Sequence, residues 1–168
     1  MRPFRRSLPM QLMRAREAVM AHFRPHLAAH SLTEQQWRVI RALEESGELD
    51  IAALAENCCL HAASLSRILP NLESEGLILR RTSKTDQRRI MVSLTPRGRK
   101  RFAEVAPESE AIYAALTEAI GPQRIEAAYR ILDEIVLALS RQKPSRRAAA
   151  RARLDTVKTA RKARQPVA

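Results

Sequence analysis

A mainly α-helical fold carrying one small β-hairpin is what this sequence predicts, on three observations. Apolar residues recur at three- and four-residue spacing over most of the chain up to Ser140. The period changes to alternation in one place, through Ile78, Arg80 and Thr82 and then Ile90, Val92 and Leu94. Helix start and stop signals fall at the joints between these stretches: Thr33 with Gln36, Ser46-Gly47, Gly76, Thr95-Pro96 and Gly121-Pro122.

Taken in order, Leu8, Leu12, Ala15, Val19, Phe23 and Leu27 form the stripe of one long amphipathic helix. Pro25 should kink or break it, because proline lacks the N–H and its ring crowds the preceding turn. Ser31 or Thr33 caps a second helix, and Thr33 with Gln36 has the spacing of a capping box. Its inward stripe is Trp37, Ile40 and Leu43. A short helix follows with Ile51, Leu54, Ala55 and Cys58 on one side. After a turn, the stretch from Ala62 to Glu75 buries Leu65, Ile68, Leu69 and Leu72. Pro70 inside that stretch predicts a bend or a later start, at a cost of about 3 kcal/mol. The two strands are joined by a narrow polar tip, Ser83-Lys84-Thr85-Asp86-Gln87. Thr95 then caps a helix that opens with Pro96 and runs to about Ala119. A last helix carries Ile125, Ala128, Ile131, Leu132, Ile135, Val136 and Leu139.

Short helix, turn, helix, hairpin is the order of a winged helix-turn-helix. The long flanking helices carry more apolar surface than so small a core can cover, which calls for a second copy of the chain. The expected division is therefore a dimer-forming domain over 1–140 and a basic tail over 141–168. Within the former, a DNA-binding lobe at about 32–95 lies between dimerisation helices at about 8–30 and 96–140. The tail lacks a stripe of large apolar residues and is expected to be disordered.

The 168-residue chain carries a formal charge of +12, which points to a polyanionic partner. From Arg141 onward ten Lys and Arg face one acid, so +9 of that charge sits in the tail and only +3 in the rest. No stretch approaches eighteen apolar residues in a row, and charges interrupt the N-terminus too often for a secretory signal; no membrane partner is expected. Cys58 and Cys59, adjacent, form no disulfide framework, which fits a cytoplasmic protein. With four glycines, no phosphate-binding loop, no nucleophile elbow and no metal quartet, neither an enzyme nor a cofactor is expected.

Four segments carry a resemblance: Leu32-Thr33-Glu34-Gln35-Gln36-Trp37-Arg38-Val39-Ile40, Leu72-Glu73-Ser74-Glu75-Gly76-Leu77-Ile78, Asp86-Gln87-Arg88-Arg89 and Leu94-Thr95-Pro96-Arg97-Gly98. In this order and spacing they resemble the MarR family over roughly residues 8 to 140. Phe23-Arg24-Pro25 ahead of the first segment looks closest to the subgroup that represses homoprotocatechuate degradation operons. The resemblance implies a triangular homodimer held by its terminal helices, with two recognition helices and two wings on an inverted-repeat operator of double-stranded DNA. It also implies release by a small acidic aromatic or heteroaromatic effector bound between the dimerisation helices and the DNA-binding lobe, and control of an aromatic-acid catabolic operon.

Ser64, Ser66 and Arg67 fall where a recognition helix meets the major groove; hydroxyls bond phosphate or base, and arginine reads guanine bidentately. Alone, they would read as a solvated helix face. The wing carries Arg80, Arg81, Lys84, Arg88 and Arg89 against a single acid, Asp86, which suits a minor groove. By the family pattern Asp86 orients Arg88. For the effector, Arg14 and Arg16 on the first helix and Trp37, Arg38, Arg41 and His61 from the lobe offer guanidinium groups for a carboxylate and a wall for a ring. The competing reading makes Trp37 core and pairs these arginines with Glu17, Glu34 or Glu44.

His22, His26 and His30 recur every fourth residue, and two such histidines can share zinc. Pro25 interrupts the register and no carboxylate or thiol accompanies them, so no metal site is expected. Cys58 lies on an apolar stripe and reads as buried and inert, while Cys59 leaves open a redox-responsive regulator. The family's redox-sensing members place the reactive cysteine in the first helix, which has none here. The +9 tail leaves open an architectural, sequence-independent DNA binder.

Overall fold

Helix signals and apolar stripes place most elements where the chain forms them. The computed structural model describes residues 3–140; the tail over 141–168, and the expectations that fall on it, lie outside the described residues. After a short 3-10 turn at Phe4–Arg6 come α1 (Leu8–Ala29), α2 (Glu34–Ser46), β1 (Leu49–Asp50), α3 (Ile51–Asn57) and α4 (Ala62–Ser74). β2 (Ile78–Thr82), β3 (Ile90–Leu94), α5 (Pro96–Ile120) and α6 (Pro122–Ser140) complete the order. The chain divides into two compact units, the second beginning at Ile120. No helix among the described residues is long and apolar enough to cross a membrane.

The core of the first unit is built from the inward stripes: Val39, Ile40 and Leu43 of α2, Leu54 of α3, Leu65, Leu69 and Leu72 of α4, and Leu77 and Val92 of the hairpin. Thr33 closes both halves of the capping box at the start of α2. Its Oγ1 accepts from the Gln36 N–H at 3.2 Å and its own N–H donates to Gln36 Oε1 at 2.9 Å, a cap worth about 1 kcal/mol.

The expected break at Pro25, the later start at Pro70, the lone hairpin and the narrow tip are corrected. α1 runs unbroken through Pro25, and α4 through Pro70. Both prolines are exposed, and the carbonyls they strip of a partner belong to Ala21 and Ser66, also exposed, so water can replace the lost bond. The hairpin is the larger part of a three-stranded antiparallel sheet of order β1-β3-β2, because Leu49 and Asp50 pair with Val92 and Met91. A two-residue strand is too short to show alternation. The wing tip is also broader than a tight turn, spanning 83–89 between strands that pair from Ile78↔Leu94 to Thr82↔Ile90.

Thr95 fixes the exit from the wing. Its Oγ1 accepts from the Gly98 N–H at 3.0 Å and donates to the Gly76 carbonyl at 2.7 Å, tying α5 to the turn after α4. Gly98 sits so close to that turn that a Cβ would come within 2.0 Å of the Leu77 carbonyl oxygen. Only glycine fits there, which gives the Thr95-Pro96-Arg97-Gly98 run its physical reason.

Part of the apolar surface has no cover within its own unit. Leu8, Leu12 and Met13 are exposed on α1, whereas Phe23 and Leu27 of the same helix are buried. α6 buries no residue at all, and Tyr129, Ile131, Leu132, Val136, Leu137 and Leu139 are exposed on it.

Candidate nucleic-acid interface and effector site

α3 and α4 are joined by a tight turn, and packing decides which face of α4 is free. Leu65, Ile68, Leu69 and Leu72 are buried, which leaves Ala63, Ser66, Arg67, Pro70 and Asn71 exposed and Ser64 half-buried. Ser64 and Arg67 line a shallow hollow with Gln35 and Ala63. Arg67 has no ion-pair partner among the described residues. The Ser66 hydroxyl donates to the Ala63 carbonyl at 2.8 Å, so its oxygen remains available as an acceptor.

The wing's basic charge is partly neutralised by acids brought in from elsewhere. Arg80 bonds Glu73 of α4, and Arg81 bonds Glu48 with Nε 2.8 Å from Oε1. These bonds hold the Glu73 and Glu48 carboxyls below their ordinary values and raise the two guanidiniums. Arg89 lies 3.1 Å from Asp50 and 3.6 Å from Asp86. Among the described residues, Lys84 and Arg88 have no acidic partner. Asp86 is the one acid of the wing's own sequence, and Glu48, Glu73 and Asp50 join it from outside the hairpin. Asp86 does act on Arg88, through the main chain: its Oδ1 accepts the Arg88 N–H at 3.0 Å. The tip is shaped by that bond and by the Arg89 N–H on the Asp86 carbonyl at 2.9 Å.

The effector candidates do not form one clamp. Arg16 pairs with Glu17 and Glu34, and Arg24 joins the same two acids. Arg38 donates through Nη1 to the Cys58 carbonyl at 2.9 Å, which ties α2 to the end of α3. Arg14 and His61 are exposed; His61 precedes α4 without a side-chain capping bond. Trp37 is buried and stacks on Phe102 of α5, ring centroids 5.5 Å apart at 19°.

A different group does converge. Arg41, one turn beyond Trp37, donates to the Tyr113 hydroxyl at 2.8 Å and lies over its ring with Cζ 5.6 Å from the centroid. Phe23 of α1 also packs against that ring, with centroids 4.7 Å apart at 55°. Four of the chain's six Phe, Trp and Tyr residues thus pack as two pairs, Trp37 on Phe102 and Phe23 on Tyr113, and the exposed Arg41 guanidinium lies beside the second. The scarcity of aromatics was the available signal, but nothing in sequence spacing joins Tyr113 to Arg41.

Comparison with known proteins decides the class. The MarR family profile matches residues 32–90. The regulator FarR of Neisseria gonorrhoeae is 40% identical over 129 residues, 77% of this chain and 88% of FarR. The homoprotocatechuate degradative operon repressor of Escherichia coli is 38% identical over 137 residues, 81% of this chain and 93% of the repressor. A structure of NadR in complex with 4-hydroxyphenylacetate superposes with a TM-score of 0.71 at 38% identity, covering 80% of this chain and 96% of NadR.

The chain belongs to the MarR family.

As a MarR-family protein it is a DNA-binding transcriptional repressor and not an enzyme. In MarR terms α3 and α4 form the helix-turn-helix, and β2 and β3 the wing. Its two cysteines open the turn of that motif. Cys58 is fully buried, burial pushes its thiol up, and its Sγ donates to the Arg38 carbonyl at 3.6 Å. It is a packing residue. Cys59 is exposed and adopts a left-handed conformation, φ +48°.

Proposed function

We propose that this MarR-family repressor binds an inverted-repeat operator as a homodimer and leaves it when a small aromatic acid binds beside Arg41. The meeting of Arg41 with Tyr113, backed by Phe23, carries the reading. It offers aromatic wall, hydroxyl and guanidinium together, which is the chemistry an acidic ring requires. The homoprotocatechuate repressor and the NadR complex with 4-hydroxyphenylacetate supply the chemical class and suggest control of an aromatic-acid catabolic operon.

In this reading Ser64, Ser66 and Arg67 of α4 enter the major groove, while Lys84, Arg88 and Arg89 of the wing approach the adjacent backbone or minor groove. Trp37 keeps its place in the effector site, Arg14 and Arg16 border it from α1, and carboxylate binding passes from Arg38 to Arg41. Arg38 is already engaged and His61 serves the start of α4. The exposed apolar faces of α1 and α6 supply the dimer contacts. The ligand must favour a spacing of the two recognition helices that the operator does not, since equal affinity for both states shifts nothing.

The test is a titration of operator-bound protein with 4-hydroxyphenylacetate and its amide, followed by fluorescence anisotropy. The acid should dissociate the complex and the amide should not. Arg41→Ala should still bind the operator yet need about ten- to a hundredfold more acid, the equivalent of one charge-assisted contact. Equal release by acid and amide, or unchanged response in Arg41→Ala, would place the effector elsewhere.

A further inference from the structure

Near the C-terminal end of α1 the structure assembles a cluster that sequence spacing does not disclose. His26 and His30 stand one turn apart with rings 5.0 Å between centroids, and Glu108 of α5 faces them. Their ligand atoms all lie within 4.8 Å of one another. The expectation that no carboxylate accompanies these histidines is thereby corrected, because the carboxylate arrives from α5. His22 stays exposed and outside the group.

The tautomer of His26 follows from its surroundings. Nε2 lies 3.0 Å from the Val105 carbonyl oxygen, which can only accept, so Nε2 carries the proton. Ser109 Oγ sits 3.2 Å from the same nitrogen. In the neutral ring Nδ1 is then a bare lone pair, buried with no hydrogen-bond partner. Glu108 Oε2 is 2.9 Å from it, an ion-pair distance, but off the line that a ring N–H would take. Two acceptors therefore face each other across a gap, an arrangement a cation resolves.

A histidine whose far nitrogen donates to a backbone carbonyl is oriented as metal-ligating histidines usually are. From this geometry we infer that His26 Nδ1, His30 and Glu108 bind a divalent transition-metal ion of the zinc class, with water completing the shell. Bonds of about 2.0–2.2 Å set ligand atoms roughly 3.3 Å apart, so the cluster must contract by about 1.5 Å. Glu108 is 64% exposed and His30 caps the helix end, so both side chains can move to make that adjustment, while His26 is already fixed. Arg101 donates to the His30 carbonyl at 2.9 Å and steadies the backbone there without occupying a ligand atom. The ion would fasten the end of α1, where the chain enters the DNA-binding lobe, to α5.

The full, tag-free chain is titrated with Zn2+ against a chromogenic chelator and with Co2+ by absorption spectroscopy. One ion per chain is expected, with tetrahedral Co2+ bands and no thiolate charge-transfer band. Thermal unfolding should rise by roughly 5–10 °C at a hundredfold excess of Zn2+ over its Kd. His30→Gln and Glu108→Gln, both at accessible positions, should each weaken Zn2+ binding roughly tenfold or more, while Cys59→Ser leaves it unchanged. Failure of the parent chain to take up one ion, survival of uptake in both ligand variants, or its loss in Cys59→Ser would overturn the assignment.

Discussion

An arginine in the wing can reach DNA only if its own neighbours release it. Arg80 and Arg81 are committed to Glu73 and Glu48, and Arg89 lies between Asp50 and Asp86, so each exchanges one anion for another on binding. Arg88 has no such competitor among the described residues, and its main chain is held by Asp86. Arg88→Ala should therefore weaken operator binding by about 1–3 kcal/mol, roughly five- to 150-fold, with the dimer intact. Arg81→Ala should cost clearly less. Asp86→Ala removes no cation, so any loss it causes comes from releasing the tip, and it should fall between the two. Gel-shift titrations at physiological salt rank the three; parent-like binding by Arg88→Ala would remove the wing from the interface. Arg88 was legible in the sequence as a candidate from its place in a basic hairpin. The pairing of its neighbours was not, because Glu48 and Glu73 lie outside the hairpin.

Between elements, the joint of α1 and α2 depends on a carboxylate shared by two arginines. Glu34, in the first turn of α2, accepts from Arg16 and Arg24 of α1. Burial pushes its carboxyl up, but the bonds from Arg24 and Arg16 outweigh that and hold it below the ordinary value. A depressed folded value contributes stability that is fully present above the unfolded value and disappears as pH falls through the folded one. Glu34→Gln should lower Tm by roughly 1–4 °C near pH 7, and the difference should shrink as pH falls below the ordinary carboxylate range and the parent is protonated as well. A Tm gap that stays constant across that range would mean the pairing adds nothing to stability. Elements of this kind were readable in advance where the signal is local: the Thr33 capping box, the stripe of α4 and the Thr95 cap all lie within a few residues of what they act on. β1 escaped because two residues carry no period, and Pro25 and Pro70 misled because the carbonyls they free face solvent. Arg41–Tyr113 and His26–Glu108 join positions more than seventy residues apart, and only the packing of α5 on α1 and α2 brings them together.

For the whole molecule, charge and sequence reading are assigned to different parts of the chain. Of the formal +12, residues 141–168 hold +9 on ten Lys and Arg with one Asp, while in the proposed reading α4 and the wing supply the side chains that distinguish bases. Phosphate attraction carries no sequence information; it sets affinity and its dependence on salt through counterion release, with a slope of about −0.9 per phosphate neutralised. A chain ending at Ser140 should accordingly show a salt slope shallower by several units and weaker binding to random DNA. Its preference for operator over random sequence, set by base-edge and shape contacts, should persist. It should also sediment as a dimer, as the full chain does in this reading, since the exposed apolar residues of α1 and α6 are all retained. The experiment compares the two chains on operator and scrambled duplexes from about 50 to 200 mM salt. An unchanged slope would mean that the ten cations make no contact with DNA. Loss of discrimination between the duplexes would instead make residues 141–168 part of the sequence reader, and the division between charge and reading would fail.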